Sequence, residues 1–324
     1  MVIHGFQKLT LLDYPGKVAC TLFSGGCNFR CPFCQNGNLV QHPEWEPVIP
    51  EEEIFAVLEK RRGVLDGVCV TGGEPTLDPD LERFVTKIKE LGYLVKLDTN
   101  GYRPEILKKL VEEKKIDYVA MDIKNAPSRY GETAGVKKID VMRINESVEF
   151  LKSGVVDYEF RTTLCQELHG REEIEAIGKW LSGAKRYFLQ NYRKSDYVID
   201  PRFSGYAREQ LERFCEILRG KIETVEIRGV DLKNALKRAV PVAEAGIGRE
   251  LGGAHRLLEV EKAEEACHEL LIRRVDAGDA EIPEFLLVAV PGEEQMAIGR
   301  GAMEDEAVRI HRKTDGAELW KIVE

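Results

Sequence analysis

No stretch of this 324-residue chain is apolar for 18 residues running, which removes a membrane-spanning helix from consideration. Residues Met1 to Lys8 form neither a basic leader before a long apolar run nor an Arg-rich amphipathic pattern, so the expected location is the cytoplasm. Gly-x-Gly-x-x-Gly and Gly-x-x-x-x-Gly-Lys-Ser/Thr are missing from every strand-to-helix junction, leaving nicotinamide and nucleotide-phosphate readings without support. Gly-x-Ser-x-Gly and His-Glu-x-x-His are missing as well, which disposes of the commoner hydrolases. There is no basic stripe, hence no expected nucleic-acid partner. The net charge of -9 lies wholly in the tail: Val240 to Glu324 holds 19 acidic and 10 basic residues, and Met1 to Ala239 holds 37 of each.

What the chain does have is cysteine, eight residues of it. With no export signal, they read as reduced thiols and ligands rather than a disulfide framework. Cys27, Cys31 and Cys34 share the run Cys27-Asn28-Phe29-Arg30-Cys31-Pro32-Phe33-Cys34, with an aromatic residue before the last thiol. Three thiolates on one tight loop can hold three irons of a four-iron cluster and leave the fourth open. A structural zinc site is the alternative; it would need a fourth ligand such as His42 or another cysteine. Cys20 and Cys69 lie in apolar runs and read as small core residues. His4, His169, His255, His268 and His311 have no partner at ligand spacing and read as structural or solvated.

From Val18 to about Ile227, short runs rich in Val, Ile and Tyr alternate with helical stretches. The strands are expected at Val18 to Phe23, Gly67 to Thr71, Leu94 to Asp98, Tyr118 to Lys124, Tyr158 to Thr163, Tyr187 to Gln190 and Thr224 to Ile227. Consecutive strand-helix units of this kind make a parallel sheet, and their number favours a full or partial barrel over an open doubly wound sheet. The unusual residues all fall at strand ends, the rim where barrel catalysts gather. Gly72-Gly73-Glu74-Pro75 follows the second strand; its bare backbone would let a ligand's polar end lie close, with Glu74 beside an ammonium. A plain turn is the competing reading. Asp98-Thr99-Asn100-Gly101 offers hydrogen-bonding groups suited to a ribose, and Asp122-Ile123-Lys124 sets an acid and a base on one face, as a site or as a surface ion pair. Arg161, between apolar neighbours, would point into the mouth and grip a carboxylate.

Taken in order, Cys-x3-Cys-x-Phe-Cys, Gly-Gly-Glu-Pro, Asp-Thr-Asn-Gly and Asp-x-Lys resemble the radical S-adenosylmethionine (radical SAM) enzymes over roughly residues 1 to 232. The opening Gly5-Phe6-Gln7-Lys8-Leu9-Thr10-Leu11-Leu12-Asp13-Tyr14-Pro15-Gly16-Lys17-Val18-Ala19 is similar to the activating proteins of anaerobic ribonucleoside-triphosphate reductase, a branch of the glycyl-radical-enzyme activases. The resemblance implies an α/β fold, a partial parallel (β/α) barrel. It also implies a [4Fe-4S] cluster on Cys27, Cys31 and Cys34, with the methionine end of SAM at the open iron. Gly72, Gly73 and Glu74 would grip the methionine amine, Asp98, Thr99, Asn100 and Lys124 would orient SAM, and Arg161 would hold its carboxylate. Reductive cleavage would give a 5'-deoxyadenosyl radical that takes hydrogen from a glycine of a partner enzyme. No side chain is then needed as acid or base, and the electron would come from a flavodoxin or ferredoxin. Alternatives are an activase of the pyruvate formate-lyase type, a small-molecule radical SAM enzyme such as a deazapurine-forming synthase, and a zinc-binding interaction module.

Relatives of this type end near Val225 to Asp231, and this chain runs on. The expected division is a core of residues 1 to 239 and an acidic extension of residues 240 to 324, a small α/β module serving as a docking element or a passive appendage. Within it, strands are expected at His255 to Val260 and Phe285 to Val290, and helices at Lys262 to Arg274 and Ala307 to Arg312. Lys233 to Arg238 reads as a basic helix and Gly246 to Gly253 as a linker.

Overall fold

The computed structural model describes residues 1–195 and 198–229 with their side chains, and the backbone of four strands at 285–288, 296–299, 308–314 and 317–323. Two compact units emerge, Met1–Val230 and Asp231–Glu324.

The first unit is an eight-stranded sheet in sequence order: β1 (Ile3–Thr10), β2 (Ala19–Ser24), β3 (Gly67–Gly72), β4 (Leu94–Thr99), β5 (Tyr118–Asp122), β6 (Asp157–Leu164), β7 (Arg186–Asn191) and β8 (Thr224–Arg228). The pairs from β2 to β8 are parallel and β1 runs antiparallel to β2, with β1 and β8 at the edges of a partial barrel. Between the strands lie helices α1 (Gly37–Gln41), α2 (Glu51–Lys60), α3 (Leu81–Glu90), α4 (Pro104–Glu112), α5 (Tyr130–Ala134), α6 (Val141–Lys152), α7 (Arg171–Trp180) and α8 (Arg208–Leu218). All seven expected strands are present. β1 was not expected, because His4, Gln7 and Lys8 break its apolar pattern and it lies at an edge.

The two faces of the sheet have opposite chemistry. Alternate residues Cys20, Leu22, Val68, Val70, Val95, Leu97, Val119, Met121, Tyr158 and Phe160 are fully or almost fully buried in one core with the helices. Helix α3 shows how the helices meet it: Leu81, Phe84, Val85 and Ile88, at i, i+3, i+4 and i+7, are its buried residues. The residues between these strand positions include Cys69, Lys96, Asp98, Tyr118, Asp122, Glu159 and Arg161. Sequence alternation thus delivers charge to the other face, and the βα connections carry the chain to its rim.

In the second unit, β9 (Phe285–Val288), β10 (Met296–Gly299), β11 (Val308–Thr314) and β12 (Ala317–Val323) form an antiparallel sheet of order β12-β11-β10-β9. β9 matches an expected strand. The expected helix at Ala307 to Arg312 is instead strand β11, paired with β12 so that Thr314 faces Ala317. Only Asp315-Gly316 separates them, a strong two-residue hairpin signal that outweighs a short helical pattern. The expectations at 233–238, 246–253, 255–260 and 262–274 lie outside the described residues. Among those described, no helix is long and apolar enough to cross a membrane.

Candidate functional site

The cysteine loop leaves β2 at Ser24 and is pinned on several sides. Arg30 N–H donates to the Ala134 carbonyl at 2.8 Å, where Gly135 at φ 66° ends α5. Phe29 packs edge-on against Tyr102 and Tyr130 (ring centroids 5.7 and 6.4 Å), and Phe33 against His169 and Phe203 (6.3 and 6.1 Å). From above, Asp200 N–H donates to the Pro32 carbonyl at 2.8 Å and Ile199 N–H to the Cys34 carbonyl at 3.3 Å. Cys31 is 7% exposed and the other two thiols are half-buried. Burial pushes Cys27 up to about 12 and Cys31 to about 11, and raises Cys34; the Lys124 ammonium opposes it in all three. Free, these groups are thiols at neutral pH, so a thiolate needs a metal cation beside it.

The glycines of Gly72-Gly73-Glu74 make room for the chain before the cysteines. A Cβ on Gly73 would lie 1.8 Å from the Gly26 carbonyl oxygen, and one on Gly72 (φ 115°) would lie 2.3 Å from the Ser24 backbone. In their absence Gly73 N–H donates to Ser24 O and Glu74 N–H to Gly26 O, both at 2.8 Å. Changing Gly73 to alanine will therefore push the two loops apart. We expect at least ~2 kcal/mol of lost stability in urea unfolding and reduced iron uptake on reconstitution.

Glu74, expected beside a ligand ammonium, has both oxygens engaged by the protein. It is 2% exposed. Oε1 accepts from Thr76 N–H (3.2 Å), Thr76 Oγ1 (2.5 Å) and Thr99 Oγ1 (2.7 Å), and Oε2 from Asn100 N–H (2.7 Å). Burial raises its pKa while these donors pull it down. Glu74 thus ties the β3 loop to the β4 loop. That leaves backbone carbonyls as the nearest polar groups of this segment, with Gly72 O already accepting from Asn36 Nδ2 at 3.0 Å.

Asp98, Arg161, Asp122 and Lys124 are brought together with Lys96 into one chain of alternating charge. Lys96 Nζ is 2.5 Å from Asp98 Oδ1, Arg161 Nη2 is 2.9 Å from Asp98 Oδ2, Arg161 Nε is 2.5 Å from Asp122 Oδ1, and Lys124 Nζ is 2.9 Å from Asp122 Oδ2. Arg161, expected to grip a ligand carboxylate, holds two carboxylates of the protein. Although burial opposes ionisation, Arg161 and Lys96 keep Asp98 low, and Arg161 and Lys124 keep Asp122 well below the carboxylate range. Burial also works against the Lys124 cation, but Asp122 and Cys31 outweigh it and hold its pKa above the usual lysine value. The Asp122–Lys124 pair is therefore a part-buried rim element and not the surface ion pair that was the competing reading.

Sequence reasoning missed Asn28, Lys96 and the role of His169. His169 is wholly buried; its Nδ1 accepts the Cys165 N–H (3.1 Å), so Nε2 carries the proton and donates to the Lys124 carbonyl at 2.8 Å. No spacing rule signals such a brace. Asn100 donates through Nδ2 to Asn28 Oδ1 at 2.8 Å, and Asn28 Nδ2 is buried without a partner.

These features fit a four-iron cluster. Cys27, Cys31 and Cys34, three thiols on one loop, would hold three of its irons and leave the fourth open, whereas a structural zinc site would need a fourth protein ligand. The donors, three thiols near a lysine and a spare amide N–H, suit a sulfur-bridged group with anionic ligands.

Comparison with known proteins agrees. The model of the Radical SAM superfamily matches residues 21–165. A Methanocaldococcus jannaschii protein named "Putative glycyl-radical enzyme activating enzyme" is 31% identical over 241 residues, covering 71% of this chain and 97% of that protein. The pyruvate formate-lyase-activating enzyme of Staphylococcus aureus is 34% identical over 104 residues, 31% of this chain and 41% of that enzyme. Among solved structures, SuiB of Streptococcus suis, crystallised with its precursor peptide SuiA, superposes with a TM-score of 0.53 at 19% identity. The match covers 67% of this chain and half of SuiB, and bears on the fold alone. The chain belongs to the radical SAM superfamily, as an enzyme related to the glycyl-radical-enzyme activases and using, as that family does, a [4Fe-4S] cluster and S-adenosylmethionine.

Proposed function

We propose that this enzyme generates a glycyl radical on a partner protein in the cytoplasm, and that the partner is an anaerobic ribonucleoside-triphosphate reductase. The observation that carries the reading is the state of the rim. Its carboxylates, Asp98, Asp122 and Glu74, are all engaged by protein cations or donors, and Lys124 and Arg161 are held charged. No free acid-base pair stands among them, so the site suits chemistry in which a cofactor does the bond breaking and side chains orient. When bound, the cluster and SAM supply an electron to a sulfonium and hence a carbon radical able to take a hydrogen atom.

In this reading Cys27, Cys31 and Cys34 bind three irons. Gly72, Gly73 and Glu74 line the methionine end, Glu74 by fixing the Thr99 and Asn100 loop. Asp98, Thr99 and Asn100 orient SAM, Asp98 while paired with Lys96 and Arg161 and Thr99 while bonded to Glu74. Lys124 supplies the cation for the ligand carboxylate, and Arg161 keeps the two aspartates ionised and aimed. The choice of reductase rests on the segment Gly5 to Ala19, which spans most of β1 and the turn into β2. Flavodoxin or ferredoxin is the proposed electron donor, and residues 240 to 324 are proposed as a module separate from the 1 to 239 core.

The test is anaerobic incubation of the reconstituted full chain with dithionite, SAM and a purified anaerobic ribonucleotide reductase. A glycyl-radical doublet on the reductase by electron paramagnetic resonance is the expected result. A doublet seen only with a pyruvate formate-lyase would move the partner. SAM cleavage that needs a small metabolite and never marks a protein would replace the proposal.

A further inference from the structure

The side-chain amide of Asn28 stands beside the first cysteine and uses only half of its hydrogen-bonding capacity. Its orientation is fixed by a relay that starts at a backbone donor. Tyr102 N–H can only donate, and it donates to Asn100 Oδ1 at 3.0 Å. Asn100 therefore turns its Nδ2 toward Asn28, at 2.8 Å, and the atom it meets must be an acceptor, Asn28 Oδ1. Asn28 Nδ2 is what remains; it is buried and has no partner. The same Asn100 Nδ2 lies 3.9 Å from Cys27 Sγ, and Cys27 Sγ lies 3.9 Å from Asn28 Oδ1, so the amide pair abuts the first thiol. A buried N–H is seldom left without a hydrogen-bond partner in a folded protein, and the thiol beside this one belongs to the loop that would seat the cluster.

We propose that Asn28 is a cluster-tuning residue: its Nδ2 donates a hydrogen bond to a sulfur of the iron-sulfur cluster and thereby favours the reduced state. This rests on the cluster-binding reading of Cys27, Cys31 and Cys34. A hydrogen bond to sulfur is stronger when the cluster carries one more negative charge, so the donor raises the reduction potential. Asn100 Nδ2 spends one hydrogen on Asn28 Oδ1 and directs its other at Cys27 Sγ, 3.9 Å away, whereas neither hydrogen of Asn28 Nδ2 has a partner.

The experiment is a redox titration of the full-length holoenzyme without SAM, with dithionite supplying one electron per cluster and the reduced cluster read by electron paramagnetic resonance. Wild type, Asn28→Leu and Asn28→Ala are compared at equal iron and sulfide content. Both variants are expected to show a reduced-to-oxidised ratio about tenfold lower at a fixed potential, ~59 mV for a one-electron couple. An unchanged ratio in both variants overturns the proposal. So does a shift that appears only after SAM is added, because the amide would then serve SAM and not sulfur. Loss of the cluster from both variants, with the apo-proteins still folded by circular dichroism, also overturns it, since a tuning bond is not required for assembly. A wild-type protein that binds no iron would instead refute the cluster reading itself.

Discussion

Replacing Cys31 with alanine will leave an anaerobically reconstituted protein colourless, with iron below about a tenth of the wild-type content and SAM cleavage slowed at least ~1000-fold, or ~4 kcal/mol of barrier. Three thiolates are the fewest that can seat the cluster with one iron open, and Cys31 is the most buried of the three. Its thiol is pushed up to about 11 by burial, so it gains charge only when a metal binds it. The fold itself should tolerate the change. Removing one small sulfur from a 7%-exposed site costs on the order of 1 kcal/mol, and the loop keeps its bonds to Ala134 and Asp200. Cys215→Ala is the control: that half-buried thiol lies on α8 and should leave iron content and activity intact. A brown, active Cys31→Ala protein would refute the site.

Arg161→Leu carries the second large effect, on stability. Arg161 is the single cation between Asp98 and Asp122, and its side chain is only 15% exposed. Removing one partner of a buried ion set strands the others, at a cost of ~3–5 kcal/mol. For a unit of this size that lowers the melting temperature by ~6–20 °C. The pH dependence should change sign as well. In the wild type both carboxyls are held below their unfolded values, so their contribution is present above the ordinary carboxylate range and fades as the solution is acidified through the folded values. Without Arg161, burial and mutual repulsion push at least one carboxyl up, and the folded state then holds a proton the unfolded chain has lost. Urea unfolding of the apo-variant should accordingly show greater stability at pH 5 than at pH 8. A variant that keeps the wild-type slope would show that Lys96 and Lys124 suffice to hold the aspartates.

The strand-helix alternation could be read because the parallel strands carry short buried apolar runs, and the cysteines, Gly-Gly-Glu, Asp-Thr-Asn-Gly and Asp-x-Lys stood out because they fall where those runs end. Cys27, Cys31 and Cys34 were equally plain, since a loop ligand set is local in sequence. β1 was obscured by its polar residues, and β11 by the weight given to a helical pattern over the Asp-Gly pair beside it. The duties of Glu74 and Arg161 were hidden for another reason: a carboxylate or guanidinium near a ligand site looks the same in sequence whether its partner is a ligand or the protein.

Residue order alone determined the barrel class, the three thiols and the rim positions, because periodicity and loop spacing are properties of neighbours along the chain. Only the tertiary structure decided that Glu74 braces two loops, that Asp122 lies opposite Arg161 in the β5–β6 register, and that Asn28 keeps its buried Nδ2 without a partner. Those outcomes depend on strand register and burial, which pair groups far apart in sequence and set what each is worth electrostatically.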